Sequence, residues 1–277
     1  MQLQKSSEPI NYEEVLNEVI EGCKGDEIIP FVRCPKFPFS YCEKWLSKRG
    51  TPWRTKVAIA KREDCPDSVV VKLIKRNGER FLGSYLYNCD KHPLSDKIIE
   101  AIINKPFGID TICLRTVLMS EKMKEKIVYS QFNNEETKSR GYFFKTRLLD
   151  FVRHQDSLPQ QCINEILSAI EIQISGGDLM LDDFSIRALK RSRTMLQCMK
   201  TPVDEGFCID CINKYDKERD KSLLEKIASN PSISKYVEMV LMVKFANEES
   251  VLAALKRAQS ARLAWRNENP STSEVCE

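Results

Sequence analysis

The chain has 277 residues, with 43 Lys and Arg against 40 Asp and Glu, a formal net charge of +3 and 42% hydrophobic residues. This composition is typical of a soluble globular protein with one or two domains. No run of 18 apolar residues is present and the first residues lack the apolar stretch of a secretory signal, so we expect neither a membrane span nor secretion. The eleven scattered cysteines therefore indicate thiols or metal ligands in a reducing compartment rather than disulfides.

The charge is distributed unevenly along the chain. Residues 31–92 contain 14 Lys and Arg against 6 Asp and Glu, residues 1–30 contain 2 against 7, and residues 93–277 contain 27 of each. A basic module thus lies between an acidic leader and a neutral body. A local net charge of +8 favours a polyanionic partner.

In the acidic leader, helical spacing of apolar residues predicts a short amphipathic helix over 11–21. A proline-rich loop follows, and the positions of Tyr41 and Trp45 predict a second short helix ending at Gly50. Partial alternation of apolar residues indicates a strand over 55–60.

A β-hairpin is the clearest local prediction. Residues 69–76 and 79–87 are rich in β-branched and aromatic side chains, and they flank the dipeptide Asn77-Gly78. Asn-Gly supplies the two positive φ angles of a type I′ turn, so we expect these two segments to pair as antiparallel strands.

From Ser95 onward the apolar spacing is helical. Ser95 is a plausible N-cap for a helix over 96–104. The sequence therefore predicts an α+β protein with an acidic helix and leader (1–30), a basic antiparallel β module (31–95), a mainly helical domain (96–266) and a disordered tail (267–277). Further helices are expected over 109–118, 120–131, 143–153, 160–174, 182–199, 220–229, 233–246 and 248–266.

The hairpin register suggests a metal site. With Asn77-Gly78 as the turn, Cys65 lies opposite residue 90, beside Cys89 and two residues from His92. Zinc sites are built from four Cys or His ligands, and Cys42, with Cys34 as a further option, is the candidate for the fourth. The alternative is that these cysteines are small buried hydrophobic residues and that His92 caps the following helix.

The segments Cys65-Pro66-Asp67-Ser68 and Cys89-Asp90-Lys91-His92-Pro93-Leu94-Ser95, on either side of the predicted hairpin, resemble the GCM/WRKY-type zinc finger of Mutator-like transposase-derived proteins over about residues 40–130. The resemblance implies a zinc-binding β module that contacts DNA. It also implies Cys65 and His92 as ligands, with Cys89 in place of a histidine.

Seven cations occupy the predicted strands and their ends, where they alternate with apolar residues. A strand ribbon in a major groove can place such cations against phosphates and base edges. The alternative is a solvated charged face. The predicted nucleic-acid-binding residues are Lys56, Lys61, Arg62, Lys72, Lys75, Arg76 and Arg80.

A second cysteine cluster comprises Cys198, Cys208 and Cys211, and it resembles the segment near SWIM-type fingers of the same proteins. Asn213 stands where that pattern has a histidine, so we expect a metal-free remnant rather than a second zinc site. The basic segment 190–193 suggests nuclear import.

No motif for catalysis is recognisable in a chain with only two histidines, so we expect no enzyme. Two functions remain open. The first is a nuclear, transposon-derived DNA-binding or chromatin-associated protein with a zinc-finger-like module. The second is a scaffold or adaptor whose helices between 160 and 266 bind proteins and whose hairpin contacts RNA or an acidic protein.

Overall fold

The computed structural model describes residues 12–87, 93–132, 146–175, 183–218 and 221–270. Across these ranges the chain forms seventeen helices and no strand. It divides into two compact units: unit 1 comprises Met1–Cys89 and Ser95–Thr111, and unit 2 comprises Asp90–Leu94 and Ile112–Glu277.

Unit 1 is a stack of short helices in which packing partners alternate along the chain. Helix α4 packs against α2 and α6, whereas α1 packs on α3 and α5 packs on α7. Helices α2, α4 and α6 thus form one layer and the odd-numbered helices lie largely in another, and the two meet where α4 packs on α5. The helices are α1 (Tyr12–Gly22), α2 (Ile29–Arg33), α3 (Phe39–Ser47), α4 (Trp53–Ala60), α5 (Asp67–Arg76), α6 (Glu79–Leu86) and α7 (Asp96–Ile103), and α8 (Gly108–Cys113) contains the boundary with unit 2.

The predicted β-hairpin is wrong, because both of its segments are helices. In α5 the buried residues are Val70, Leu73 and Ile74, which recur at the i, i+3, i+4 spacing of one helix face. In α6 four residues are buried at the same helical spacing, which is the spacing of a helix face and not that of a strand. They are Phe81, Leu82, Tyr85 and Leu86.

Asn77-Gly78 links two helices instead of two strands. Asn77 is extended at the C-cap of α5, and its Nδ2 donates a hydrogen bond to the Leu73 carbonyl oxygen at 2.7 Å. Gly78 has φ −90° and is the N-cap of α6, so the positive φ angles of a type I′ turn are absent here.

The strand predicted over 55–60 is also helical, since it forms most of α4. There Thr55, Ile59 and Ala60 are buried at helical spacing. The basic module is consequently a stack of helices, and the α+β fold class predicted from the sequence is wrong: the described chain is mainly α-helical.

Unit 2 repeats the alternating pattern. Helix α12 packs against α10, α11 and α14, α14 also packs against α16, and α13 packs against α15. None of the helices in the described ranges has the length and apolar character needed to span a membrane. The helices of this part are α9 (Glu121–Phe132), α10 (Thr146–His154), α11 (Gln160–Ser175), α12 (Asp183–Met199), α13 (Glu205–Glu218), α14 (Lys221–Ser229), α15 (Lys235–Lys244), α16 (Glu249–Arg257) and α17 (Gln259–Glu268).

The helices predicted beyond Ser95 are present, with shifts at their ends. Ser95 caps α7 as expected, because its Oγ accepts a hydrogen bond from the Ile98 amide at 3.4 Å. The single helix predicted over 248–266 is two helices that meet at Ala258. Helix α13 was not predicted at all.

Two glycines on helices allow a matched test of packing. An added Cβ at Gly83, inside α6, meets no atom within 4 Å, so Gly83→Ala should stabilise the protein by about 0.5–1 kcal/mol through helix propensity. At Gly108 an added Cβ would overlap the Ile102 carbonyl oxygen, so Gly108→Ala should destabilise the protein by about 1–3 kcal/mol. Urea unfolding of the two variants would measure both effects, and equal behaviour would contradict this packing.

Candidate nucleic-acid interface

A pocket of about 610 Å³ opens between α2 and α4 in unit 1. Its lining includes the apolar residues Ile29 and Val57, and the segment 62–64 that follows α4 adds the carboxylates of Glu63 and Asp64. Three exposed cations surround it, one from α2 and two from α4. These rim cations are Arg33, Arg54 and Lys61.

The rim cations are held in different ways. The Arg54 guanidinium lies 3.9 Å from an Asp26 carboxylate oxygen, and both side chains are largely exposed, so this ion pair is weak. Lys61 Nζ donates a hydrogen bond to the Tyr87 carbonyl oxygen at 2.6 Å. Arg33 is exposed at the end of α2. Arg33 and Arg54 are therefore open to solvent, whereas Lys61 is held against the end of α6.

Trp53 lines the pocket beside two arginines. The guanidinium carbon of Arg80 lies 4.7 Å from the Trp53 ring centroid, and that of Arg54 lies 5.6 Å from it. Both distances are within the range of a cation–π interaction. Trp53 thus adds an aromatic ring to the pocket lining, with both guanidinium groups close to that ring.

Arg62 was predicted to contact nucleic acid, but the structure uses it internally. Its side chain is only 6% exposed. Nη1 donates to the carbonyl oxygens of Val32 and Cys34 at 2.6 and 3.0 Å, and Nη2 donates to Phe37 at 2.7 Å. Nε and Nη2 also bind the Asp64 carboxylate, and this bond lowers the pKa of Asp64. All five guanidinium N–H groups are occupied, so Arg62 joins segments of unit 1 and has no donor left for a phosphate.

The remaining predicted cations do not share one surface. Arg80 joins the pocket through Trp53, whereas Lys56 donates to the Asn77 side-chain oxygen at 3.3 Å. The other three are exposed on α5, which belongs to the other layer. They are Lys72, Lys75 and Arg76.

Much of the positive charge of unit 1 is not neutralised within the chain. In the described part of the unit, several exposed cations form no ion pair with an acidic side chain of that part, and six of them lie between residues 33 and 76 and make no side-chain hydrogen bond or cation–π contact there. They are Arg33, Lys36, Arg49, Lys72, Lys75 and Arg76. Their charge is available to an anionic partner.

The predicted zinc ligands are only partly within the described ranges. Cys42 is buried and Cys65 is half-buried, and burial raises the pKa of these thiols to about 11 and about 12. Cys89 and His92 lie outside the described residues. Over the ranges that the structure describes, no group of three or more Cys, His, Asp or Glu is arranged to hold a metal ion, and zinc binding stays a prediction.

The second cysteine cluster lies in the core of unit 2. Cys198, Cys208 and Cys211 are all buried among apolar side chains. A hydrogen bond with Cys211, together with burial, raises the pKa of Cys198, and burial raises that of Cys208 to about 12. Such thiols are protonated at neutral pH, and here they pack as small hydrophobic residues.

The basic segment proposed for nuclear import lies on α12. Lys190 and Arg191 are exposed, but Ser192 is buried and Arg193 forms an ion pair with Glu171 at 2.7 Å. The four residues therefore do not present one continuous basic surface.

Sequence reasoning missed Arg33, Trp53 and Arg54 as site residues. The sequence indicates Arg54 only if residues 53–60 are taken as a helix. Arg54, Ala58 and Lys61 then follow the i, i+4, i+7 spacing of one helix face. A strand over the same residues would have separated them onto two faces.

Comparison with known proteins provides no guide to function. No family model, no curated protein and no solved structure matches the chain. The resemblance to a GCM/WRKY-type finger stays a prediction, and the function must be argued from the cationic pocket itself.

Proposed function

We propose that the chain is a non-catalytic nucleic-acid-binding protein, with DNA as its first candidate ligand, and that unit 1 forms the contact surface. The observation that carries this proposal is the pocket between α2 and α4, whose rim consists of Arg33, Arg54 and Lys61. Exposed guanidinium and ammonium groups around one concavity are suited to backbone phosphates.

The charge distribution supports the same proposal. Residues 31–87, all within the described part, contain 13 Lys and Arg against 5 Asp and Glu. Binding of phosphates by such a surface releases condensed counterions, so affinity should fall steeply with salt. The contact would be made by a layer of helices, in place of the strand ribbon predicted from the sequence.

Reversing two rim charges should test the proposal. In the full-length chain, Arg33→Glu with Arg54→Glu should weaken binding of a labelled 20-mer by at least about tenfold at 100 mM salt. The slope of log K against log salt should also flatten by about 1.4–1.8, because two phosphate contacts are lost. Fluorescence polarisation with single-stranded and duplex probes from 50 to 200 mM salt would measure both quantities.

The matched control places the same charge change in unit 2. Lys235→Glu with Lys256→Glu reverses two exposed cations and alters the net charge equally. It should leave affinity nearly unchanged. If both double variants lose affinity to the same extent, binding depends on net charge alone and the pocket rim is not the interface.

A second candidate function is that of a scaffold or adaptor. The observation that favours it is an exposed apolar row on α15, which also buries apolar residues on its opposite face. An exposed row of large apolar side chains is typical of a surface that contacts another protein. If the parent chain binds neither nucleic-acid probe at 50 mM salt, this candidate replaces the first. The row comprises Tyr236, Met239, Met242 and Val243.

A further inference from the structure

The pocket between α2 and α4 has apolar residues in its lining that phosphate contacts alone do not require. Ile29 on α2 and Val57 and Ala58 on α4 line the pocket, and all three are half-buried. Pockets that combine an apolar lining with a few polar groups are typical of sites for organic ligands. The ligand should therefore have an uncharged, apolar part as well as its phosphates.

The size of the pocket limits what that part can be. Its volume of about 610 Å³ lies within the range of roughly 300–1,000 Å³ usual for small-molecule sites. One nucleobase with its sugar fits such a space. A base within a duplex is paired and stacked, and it would have to be unstacked before it could enter.

The rim cations are spaced to contact phosphates on both sides of an inserted base. Arg54 and Lys61 are seven residues apart on α4, which corresponds to about 10 Å along the helix axis. Arg33, on α2, also lines the pocket. Trp53, which lines the pocket, adds an aromatic ring of the kind on which unpaired bases stack.

We infer that this pocket holds one unpaired base of a single-stranded nucleic acid, while Arg33, Arg54 and Lys61 contact the flanking phosphates. This inference rests on the proposed function and narrows it from nucleic acids in general to single strands. Duplex binding then uses the rim cations without filling the pocket, so it should be the weaker of the two.

Filling the pocket without changing its charge tests the inference. Ala58 on α4 and Ser84 on α6 both line the pocket and are half-buried. Ala58→Leu and Ser84→Leu, each made in the full-length chain, should weaken binding of a single-stranded 20-mer by about tenfold, the scale of one lost base-stacking contact. Duplex affinity and the salt slope should stay unchanged. Single-strand affinity equal to that of the parent, in variants with parent-like melting temperatures, would overturn the inference.

A measurement on the unaltered protein provides an independent test. Adenosine 5′-monophosphate should displace the labelled single strand at a concentration at least about tenfold lower than ribose 5-phosphate, which carries the same phosphate without a base. Equal displacement by the two compounds would show that only the phosphate is recognised, and would overturn the inference even if both variants failed to fold.

Different results would contradict nucleic-acid binding by the chain and base binding by the pocket. A parent chain that binds neither probe contradicts the proposed function itself. A parent chain that binds both probes equally, and equally in the leucine variants, contradicts only the base pocket. Binding of an acidic peptide as tightly as the single strand would also overturn the base pocket and favour a protein partner.

Discussion

Replacing Arg262 with alanine is expected to destabilise the protein by about 3–5 kcal/mol, the largest effect we expect of any single substitution. The side chain is 2% exposed within unit 2. Its Nε lies 3.2 Å from a Glu238 carboxylate oxygen, Nη1 donates to the Ala228 carbonyl oxygen at 2.8 Å, and Nη2 donates to that of Leu255. Alanine would leave a cavity and buried acceptors without their donor. Urea unfolding followed by circular dichroism would measure the loss.

An exposed arginine on the neighbouring helix is the control for Arg262. Arg257 on α16 is 53% exposed and pairs with Asp156 at 3.0 Å, and exposed ion pairs contribute little. Arg257→Ala should therefore change the free energy of unfolding by no more than about 1 kcal/mol. A loss for Arg262→Ala as small as that for Arg257→Ala would contradict the buried position of Arg262.

The second large effect is expected at Arg62. Arg62→Ala removes the donor of three backbone carbonyl oxygens and the partner of Asp64, so we expect a loss of about 2–4 kcal/mol in the stability of unit 1. The folded fraction should bind nucleic acid with an unchanged salt slope, because this guanidinium has no donor left for a phosphate. Thermal unfolding and polarisation titrations at several salt concentrations would measure these two quantities.

Arg33→Ala should have the opposite pattern of effects, with stability retained and nucleic-acid binding weakened. Arg33 is exposed on the pocket rim, so its loss should change stability by less than about 0.5 kcal/mol while reducing the salt slope by about 0.7–0.9. Together the two substitutions separate a structural arginine from a binding one. If Arg62→Ala weakened binding and left stability unaltered, the assignment of these roles would be reversed.

The sequence predicted the helical half of the fold because its signals are local. The Ser95 cap and the apolar spacing over 160–174 both lie within one helix, and both are present in the structure. The basic module was predicted wrongly because valine-rich and aromatic segments around Asn77-Gly78 satisfy strand and helix patterns alike. The choice is decided by which face is buried, and that depends on packing between helices.

The candidate site was predictable as a basic stretch but not as a pocket. Composition identified residues 31–92 as the charged part of the chain. It could not distinguish Arg62 from Lys61, since the acceptors of Arg62 lie 25–30 residues earlier in the sequence. The concavity between α2 and α4 likewise depends on a helical α4.

The alternating packing of helices has a consequence for how the chain reaches its structure. Within each unit the principal partners of a helix are the helices one or two positions away along the chain. Contacts between residues close in sequence need little loop closure, and topologies dominated by them fold quickly. We therefore expect each unit to assemble mainly by the docking of helices that are neighbours along the chain.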